Sequence, residues 1–295
     1  FFFIMKIALI GADGQLGTDL RTALKGHEVV PLFWPEFDVT RAEETAGKLS
    51  LIGPDAIVNT AAFHRVDECE DRPEAAFAVN AIAVRDLART ARELDAVLVH
   101  FSTDYVFDGE KRTPYVEQDP PGPLSVYAAS KLAGEHFVRA YAGRAFVIRT
   151  CGLYGKAGCR EKGRHFVAAM LQAAESGRKE IRVVDDQVVT PTTTAELAAR
   201  IAELLRTDAY GLYHMTAEGS CSWADFARAV FELSGRDPSI IVSVDSAALG
   251  AKARRPAYSV LENARMKETG LTPFSFWRDA LAAYLKDASP PSPAR

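Results

Sequence analysis

The stretch that most constrains this chain is residues 6–17. Lys6–Ile10 is a short aliphatic and β-branched run, the pattern of a buried parallel strand. It leads into Gly11-Ala-Asp-Gly14-Gln15-Leu16-Gly17, and Thr18–Leu24 continues with helical spacing. Strand, glycine turn and helix in that order form a dinucleotide-binding opening. The glycines let the backbone turn sharply and approach a pyrophosphate, which rests on the unpaired N–H groups of the helix start. The spacing is G-x-x-G-x-x-G rather than G-x-G-x-x-G, so the loop needs support from the rest of the chain.

That support is a regular alternation. Glu28–Phe33 reads as a second strand, Thr40–Ser50 as a polar helix and Ala56–Asn59 as a third strand. Pro73–Leu94 reads as a long helix with proline in its first turn, and Ala96–Phe101 as a fourth strand. The alternation predicts an α/β fold, a doubly wound parallel sheet of the Rossmann type with its ligand crevice beyond the strand C-termini. Gly11, Asn59 to Phe63 and Ser102-Thr103-Asp104 all fall just past those ends.

The stretch 108–124 is rich in Pro and Gly and reads as loop. A helix carrying Tyr127-Ala-Ala-Ser-Lys131 comes next, then a strand at Ala145–Thr150. From Cys151 onward the pattern loosens, with helices at Arg164–Glu175, Thr194–Leu205 and Ser222–Leu233 and short strands at Ile181–Val184, Gly211–His214 and Ile240–Val244. We expect residues 5–155 to form a nucleotide-binding domain. Residues 156–288 should form a smaller α/β substrate-side region interleaved with the last sheet strands, and 289–295, rich in Pro and Ser, a frayed tail.

Composition removes several function classes. A net charge of −4 gives no general attraction to nucleic acid or to an anionic membrane. No run approaches the roughly 20 apolar residues of a membrane helix. Phe1–Ile10 lacks the basic region and cleavage site of a signal peptide, and Phe1–Ile4 read as an extension upstream of Met5. Cys69, Cys151, Cys159 and Cys221 show no metal-ligand spacing and read as buried thiols in a reducing compartment. A cytoplasmic protein is expected, with no nucleic-acid, membrane or metal partner, and with a homodimer left open. His100 and His214 lie in apolar strand runs and read as core. Asp185 and Asp186 read as turn hydrogen bonds, and Trp223, just after a Ser222 N-cap, as packing.

The chemistry centres on Tyr127 and Lys131, which lie one helical turn apart on one face. There the ammonium can favour the phenolate and lower a tyrosine pKa that is otherwise near 10. Thr103, ending the fourth strand, brings a hydroxyl to the same edge. Each residue alone has an ordinary explanation. Together, in order behind a nucleotide loop, they predict a proton donor (Tyr127), a lysine that lowers its pKa and holds the nicotinamide ribose, and a threonine that orients a carbonyl.

At this point the chain resembles the extended short-chain dehydrogenase/reductases, and within them the dTDP-4-dehydrorhamnose reductases. The matching pieces are Gly11–Gly17, Asp38-Val39-Thr40, Asn59-Thr-Ala61-Ala62-Phe63 with Val66-Asp67, Ala78-Val-Asn80, and Ser102-Thr-Asp-Tyr-Val-Phe-Asp-Gly109. Further on come Tyr127–Lys131, Arg149-Thr150 before Leu153-Tyr-Gly155, and Asp186-Gln187 with Thr190-Pro-Thr192. Ser222-Trp-Ala-Asp-Phe226 and Arg254-Arg-Pro-Ala-Tyr-Ser-Val-Leu261 complete the set. The resemblance implies reduction of the C4 ketone of a dTDP-6-deoxy-4-keto-L-sugar to dTDP-L-rhamnose by NADPH or NADH. It implies cofactor contacts at Gly11, Gly14, Gln15, Leu16, Gly17, Asp38, Val39, Ala61, Ala62, Phe63, Tyr127 and Lys131. Contacts to the dTDP-sugar are implied at Thr103, Asp104, Tyr105, Gly152, Arg254 and Arg255.

Related sugar-nucleotide dehydratases place adjacent Asp and Glu after the threonine; here Tyr105 stands in the second place, which favours simple reduction. Where the family commonly has Ser-Trp, this chain has Cys151-Gly152, which opens the pocket unless the loop 156–164 fills it. Phe63 replaces a frequent tyrosine. A reductase for another 4-keto-6-deoxy sugar nucleotide, and a non-catalytic regulatory subunit, are the alternatives. Arg254 and Arg255 read equally as diphosphate contacts or as a structural ion pair. Glu36 comes after the second strand with no basic residue beside it for a 2′-phosphate, and both cofactors stay open.

Overall fold

The computed structural model describes residues 4–157 and 165–288. The expected tail at 289–295, residues 1–3, and residues 158–164 of the loop expected to fill the pocket, Cys159 among them, lie outside the described residues.

Six parallel strands form the main sheet: β1 (Lys6–Ile10), β2 (Glu28–Leu32), β3 (Ala56–Asn59), β4 (Val97–Thr103), β5 (Arg144–Thr150) and β6 (Gly211–His214), in the order β6-β5-β4-β3-β1-β2. Strand periodicity decides which helices cover which face, because successive side chains point opposite ways. Ile7, Leu9, Val58, Val99, Phe101 and Ile148 face one side, packed on Leu16 and Leu20 of helix α1 (Gln15–Ala23). Ala8, Ile10, Ile57, Leu98 and Val147 face the other. They pack on Leu49 of α2 (Ala42–Ile52), on Val84, Leu87 and Ala91 of α3 (Ala83–Glu93) and on Val138 of α4 (Val126–Tyr141). Strands apolar on both faces suit only such a double cover. Each fully buried Leu, Ile or Val stabilises it by about 1.5–3 kcal/mol.

The chain leaves β1 toward β2 and returns on the far side to β3, so β1 marks the switch point where a crevice opens. Register aligns the strand ends there. Ile10 lies level with Leu32 and Asn59, and Thr103 with Thr150. The later part of the chain returns α6 (Thr194–Leu204) against α1 and β6 to the sheet edge. A smaller lobe is built on a parallel pair, Ile181–Val184 with Ile241–Val244. It packs on α5 (Phe166–Glu175) and α7 (Trp223–Leu233), with α8 (Trp277–Ala288) beside them.

Several local features depart from the sequence expectation. The long helix expected at Pro73–Leu94 is helical throughout but turns π over Ala78–Ile82. At that turn α4 comes unusually close: a Cβ on Gly134 would lie 2.3 Å from the Asn80 carbonyl oxygen. Val66–Asp71 and Trp277–Ala288, not read as helices from the sequence, are helical.

Candidate active site

The glycine loop is shaped for a close-approaching ligand. Gly11 has φ +74°, and a Cβ there would lie 2.6 Å from the Thr60 hydroxyl; one on Gly17 would lie 2.2 Å from the Gly11 carbonyl oxygen. Gly14 begins α1 with no side-chain cap, which leaves first-turn N–H groups to an outside acceptor. The side-chain nitrogen of Gln15 is buried with no hydrogen-bond partner. These features fit a dinucleotide pyrophosphate. Leu16 instead packs into the core, as does Val39, and the Asp38 carboxylate accepts from the Thr40 backbone N–H (2.9 Å) and hydroxyl (2.7 Å). Asp38 thus closes a turn at the rim of the crevice.

On the β3 side, Ala61, Ala62 and Phe63 lie just beyond the strand end. Phe63 is fixed by Asn80, which accepts from the Phe63 N–H at 2.9 Å and donates to its carbonyl at 2.9 Å. Asn80 also donates to the Ser130 hydroxyl at 3.0 Å, and Ser130 in turn donates to the Tyr127 carbonyl at 2.8 Å. Asn80, which the sequence reading did not place in the site, therefore ties the crevice loop to the helix that carries Tyr127. A lone asparagine inside the otherwise apolar helical run 75–84 was the available signal.

Thr103 and Tyr127 come together at the end of β4. The Thr103 hydroxyl lies close enough to the Tyr127 phenol to favour its ionised form, and the Thr103 oxygen accepts from the Tyr105 N–H at 3.2 Å. The expected effect of Lys131 on Tyr127 requires correction. Burial dominates and pushes the phenol above its ordinary value, while the nearby Thr103 hydroxyl works the other way. The Lys131 ammonium is turned to the Phe101 carbonyl of β4 at 2.5 Å, and burial lowers it to about 8 against the pull of Glu135. The net direction is a phenol held protonated, suited to giving a proton rather than taking one.

Beneath this pair lies a dense polar layer. Asp104 is buried and accepts from Ser259 (2.5 Å) and Thr103 (3.0 Å), and burial raises its carboxyl. Burial, with the Asp104 carboxylate nearby, raises the Cys151 thiol. Asp104 therefore supports Thr103 from below. Glu135, one turn beyond Lys131, grips Arg149 with two bonds, of 2.9 and 2.7 Å, and accepts from Ser102 at 2.5 Å. An arginine in a central strand demands such a partner.

A cavity of about 680 Å³ opens beside the pair, between helix Val66–Asp71 and the smaller lobe. Tyr105 lines it and stands edge-on to Tyr127. Arg255 lines it too, but its guanidinium grips Asp67 at 3.2 and 3.0 Å. Arg254 is exposed and is not part of the cavity wall. Gly152 has φ +55° and sits between Pro191 and the Trp223 ring. Asp185 accepts from Ser222 and Ser243, and Asp186 from Ser246; among the described residues no cluster is arranged to hold a metal ion. No described helix is long and apolar enough to cross a membrane. Cys69, Cys151 and Cys221 are buried.

A parallel sheet with a glycine loop at its switch point, and paired Thr and Tyr hydroxyls beside a buried lysine, define a short-chain dehydrogenase/reductase of the extended type. The chain belongs to the family of the dTDP-4-dehydrorhamnose reductases: the family model described as the RmlD substrate binding domain matches residues 5–289. It is 39% identical over 280 residues to the dTDP-4-dehydrorhamnose reductase of Mycolicibacterium smegmatis, spanning 94% of this chain and 84% of that protein. It is 40% identical over 287 residues to a probable dTDP-4,6-dihydroxy-2-methyloxan-3-one 4-ketoreductase of Streptomyces antibioticus, spanning 96% and 95%. The crystal structure of the Bacillus anthracis dTDP-4-dehydrorhamnose reductase in complex with NADP superposes with a TM-score of 0.91 at 33% identity, covering 97% of this chain and 100% of that one.

Proposed function

We propose that the chain reduces the C4 ketone of dTDP-4-dehydrorhamnose, a dTDP-4-dehydro-6-deoxy-L-sugar, to dTDP-L-rhamnose. The observation that carries this reading is the Thr103–Tyr127 hydroxyl pair at the end of β4, with Tyr105 rather than a second carboxylate beside it. NADPH or NADH, when bound, supplies the hydride. The residues that would hold it are those of the glycine loop, the Ala61–Phe63 segment and Lys131. Residues 5–155 carry the nucleotide loop and the proton donor, and 156–288 the far wall of the cavity.

Within the site, the Thr103 hydroxyl turns from Asp104 to donate to the ketone oxygen of bound substrate and sets its position. Tyr127 transfers its phenolic proton to the same oxygen as it becomes an alkoxide, so the charge never accumulates. Positioned proton transfer contributes about 100- to 10,000-fold, and holding the ketone against its reaction partner supplies much of the rest. Lys131, buried behind the pair, is held by the Phe101 carbonyl of β4 and anchors that strand end to the helix carrying Tyr127. With Glu absent at 105, no second carboxylate is placed for elimination of water. Buried thiols fit a reducing, cytoplasmic setting.

A second reading, reduction of another dTDP-4-keto-6-deoxy sugar, is favoured by one observation. The S. antibioticus 4-ketoreductase is as similar to this chain as the M. smegmatis reductase is. One assay separates the two: NADPH or NADH is supplied with a panel of dTDP-4-keto sugars and the absorbance of the reduced nicotinamide is monitored. The proposal predicts fastest consumption with dTDP-4-dehydrorhamnose and dTDP-L-rhamnose as product. Consumption with a different sugar only would select the second reading, and none with any would overturn both.

A further inference from the structure

The cavity holds six charged side chains, and five of them are engaged. Arg255 grips Asp67, Lys252 holds Asp71 at 2.8 and 2.7 Å, and Glu68 is paired with Arg65 and Arg72. The sixth is Arg182, which has no charged partner among the described residues. Its placement results from strand alternation. Ile181 and Val183 are buried in the small lobe's core against Ala227 and Phe231, which leaves Arg182 on the open face of the strand.

Beside it the wall is aromatic. The Trp223 indole packs on Phe166 with ring centroids 4.8 Å apart. The edge of its six-membered ring would lie 3.4 Å from a Cβ on Gly152, two residues after β5. Gly152 puts no side chain between the end of β5, level with Thr103, and the partly buried Trp223 ring, which lines the same cavity as Arg182. A flat apolar wall together with a guanidinium that has no charged partner among the described residues matches a ligand with a planar ring and an anion. Guanidinium pairs with phosphate through two parallel bonds, which a lysine at this place could not reproduce.

We infer that Arg182 receives the substrate's diphosphate, with the Trp223 indole as the wall against which the pyrimidine rests. The inference rests on the proposed reading of the substrate as a dTDP-sugar. It also reassigns a role that the sequence reading offered to Arg254 and Arg255, of which the first stands away from the cavity and the second is neutralised by Asp67.

The test is steady-state kinetics of Arg182→Gln and Arg182→Lys with the dTDP-4-keto sugar, together with inhibition by free dTDP. Arg182 is exposed, so both variants are expected to fold. Arg182→Gln should raise KM for the sugar nucleotide and the inhibition constant of dTDP together, by about tenfold or more, the scale of one lost charge-assisted bond. Little change in kcat or in NADPH affinity is expected. Arg182→Lys should restore part of the loss. Unchanged KM and dTDP inhibition in Arg182→Gln would overturn the assignment. Wild-type protein that binds dTDP through Arg182 yet reduces no keto sugar would uphold the assignment and sink the proposed reaction instead.

Discussion

Tyr105 meets Tyr127 edge to face, with ring centroids 6.1 Å apart and planes at 89°. The contact links the cavity wall, which Tyr105 shares with Arg255, to the proton donor. An aromatic pair of this kind contributes about 0.5–1.5 kcal/mol beyond the area it buries. Tyr105→Leu frees the Tyr127 ring, and kcat/KM is expected to fall by about tenfold, the factor that 1.4 kcal/mol represents. Tyr105→Phe keeps the ring contact and should retain most activity. Equal losses in the two variants, measured by initial rates, would contradict this role.

The buried Lys131 makes stability depend on pH in a definite direction. Its ammonium is lowered to about 8 in the fold, against 10.5 when exposed. Between those values the unfolded chain holds more protons, so this group's contribution to stability rises with pH; below 8 both states are protonated and the folded one carries the full cost of burial. Compared with Lys131→Met, wild-type protein should gain denaturation midpoint from pH 7 to pH 10. A difference between the two that is the same at both pH values would show that Lys131 does not titrate differently on folding.

The Glu135–Arg149 pair is buried on both sides, with side chains 3% and 4% exposed. Removing one partner leaves an unpaired charge next to the site. Glu135→Ala is expected to cost about 3–5 kcal/mol of unfolding free energy. Replacing both residues with well-packed apolar ones should recover much of it. A double variant as unstable as the single one would argue that the pair is held for its hydrogen bonds to Ser102 rather than for mutual neutralisation.

Gly17→Ala tests the nucleotide loop. The added Cβ would meet the Gly11 carbonyl at 2.2 Å, backbone that can yield only by moving the turn. NADPH binding, measured by nicotinamide fluorescence, should weaken at least tenfold, on the scale of 1.4 kcal/mol per decade. Thermal stability should fall as well. Wild-type affinity in a folded Gly17→Ala protein would mean the dinucleotide sits elsewhere.

The sequence shows the sheet plainly because its strands are apolar on both faces and end in small or hydroxyl residues at one edge. Gly11, Asn59 and Thr103 were legible there for that reason. Contacts between distant segments were not. Arg255 finds Asp67 across 188 residues, and nothing local predicts the pairing. The π turn at Asn80 depends on Gly134 of another helix, and helix Val66–Asp71 is too short to display a period. Lys131 was legible as a partner of Tyr127 by spacing alone. Its flexible stem reaches the Phe101 carbonyl instead, a choice made by the tertiary fold. Trp277, Leu281 and Leu285 do repeat every four residues, so the period of α8 is present in the sequence although the helix was not expected there.

The central claim is that the Tyr127 hydroxyl delivers the proton when the ketone is reduced. Single-turnover oxidation of NADPH by the dTDP-4-keto sugar, compared between wild-type protein and Tyr127→Phe, tests it most directly. The phenylalanine keeps the ring and its contact with Tyr105, so folding and dTDP binding should be unchanged while the rate constant falls by at least about 100-fold. A Tyr127→Phe protein that turns over at the wild-type rate would contradict the account.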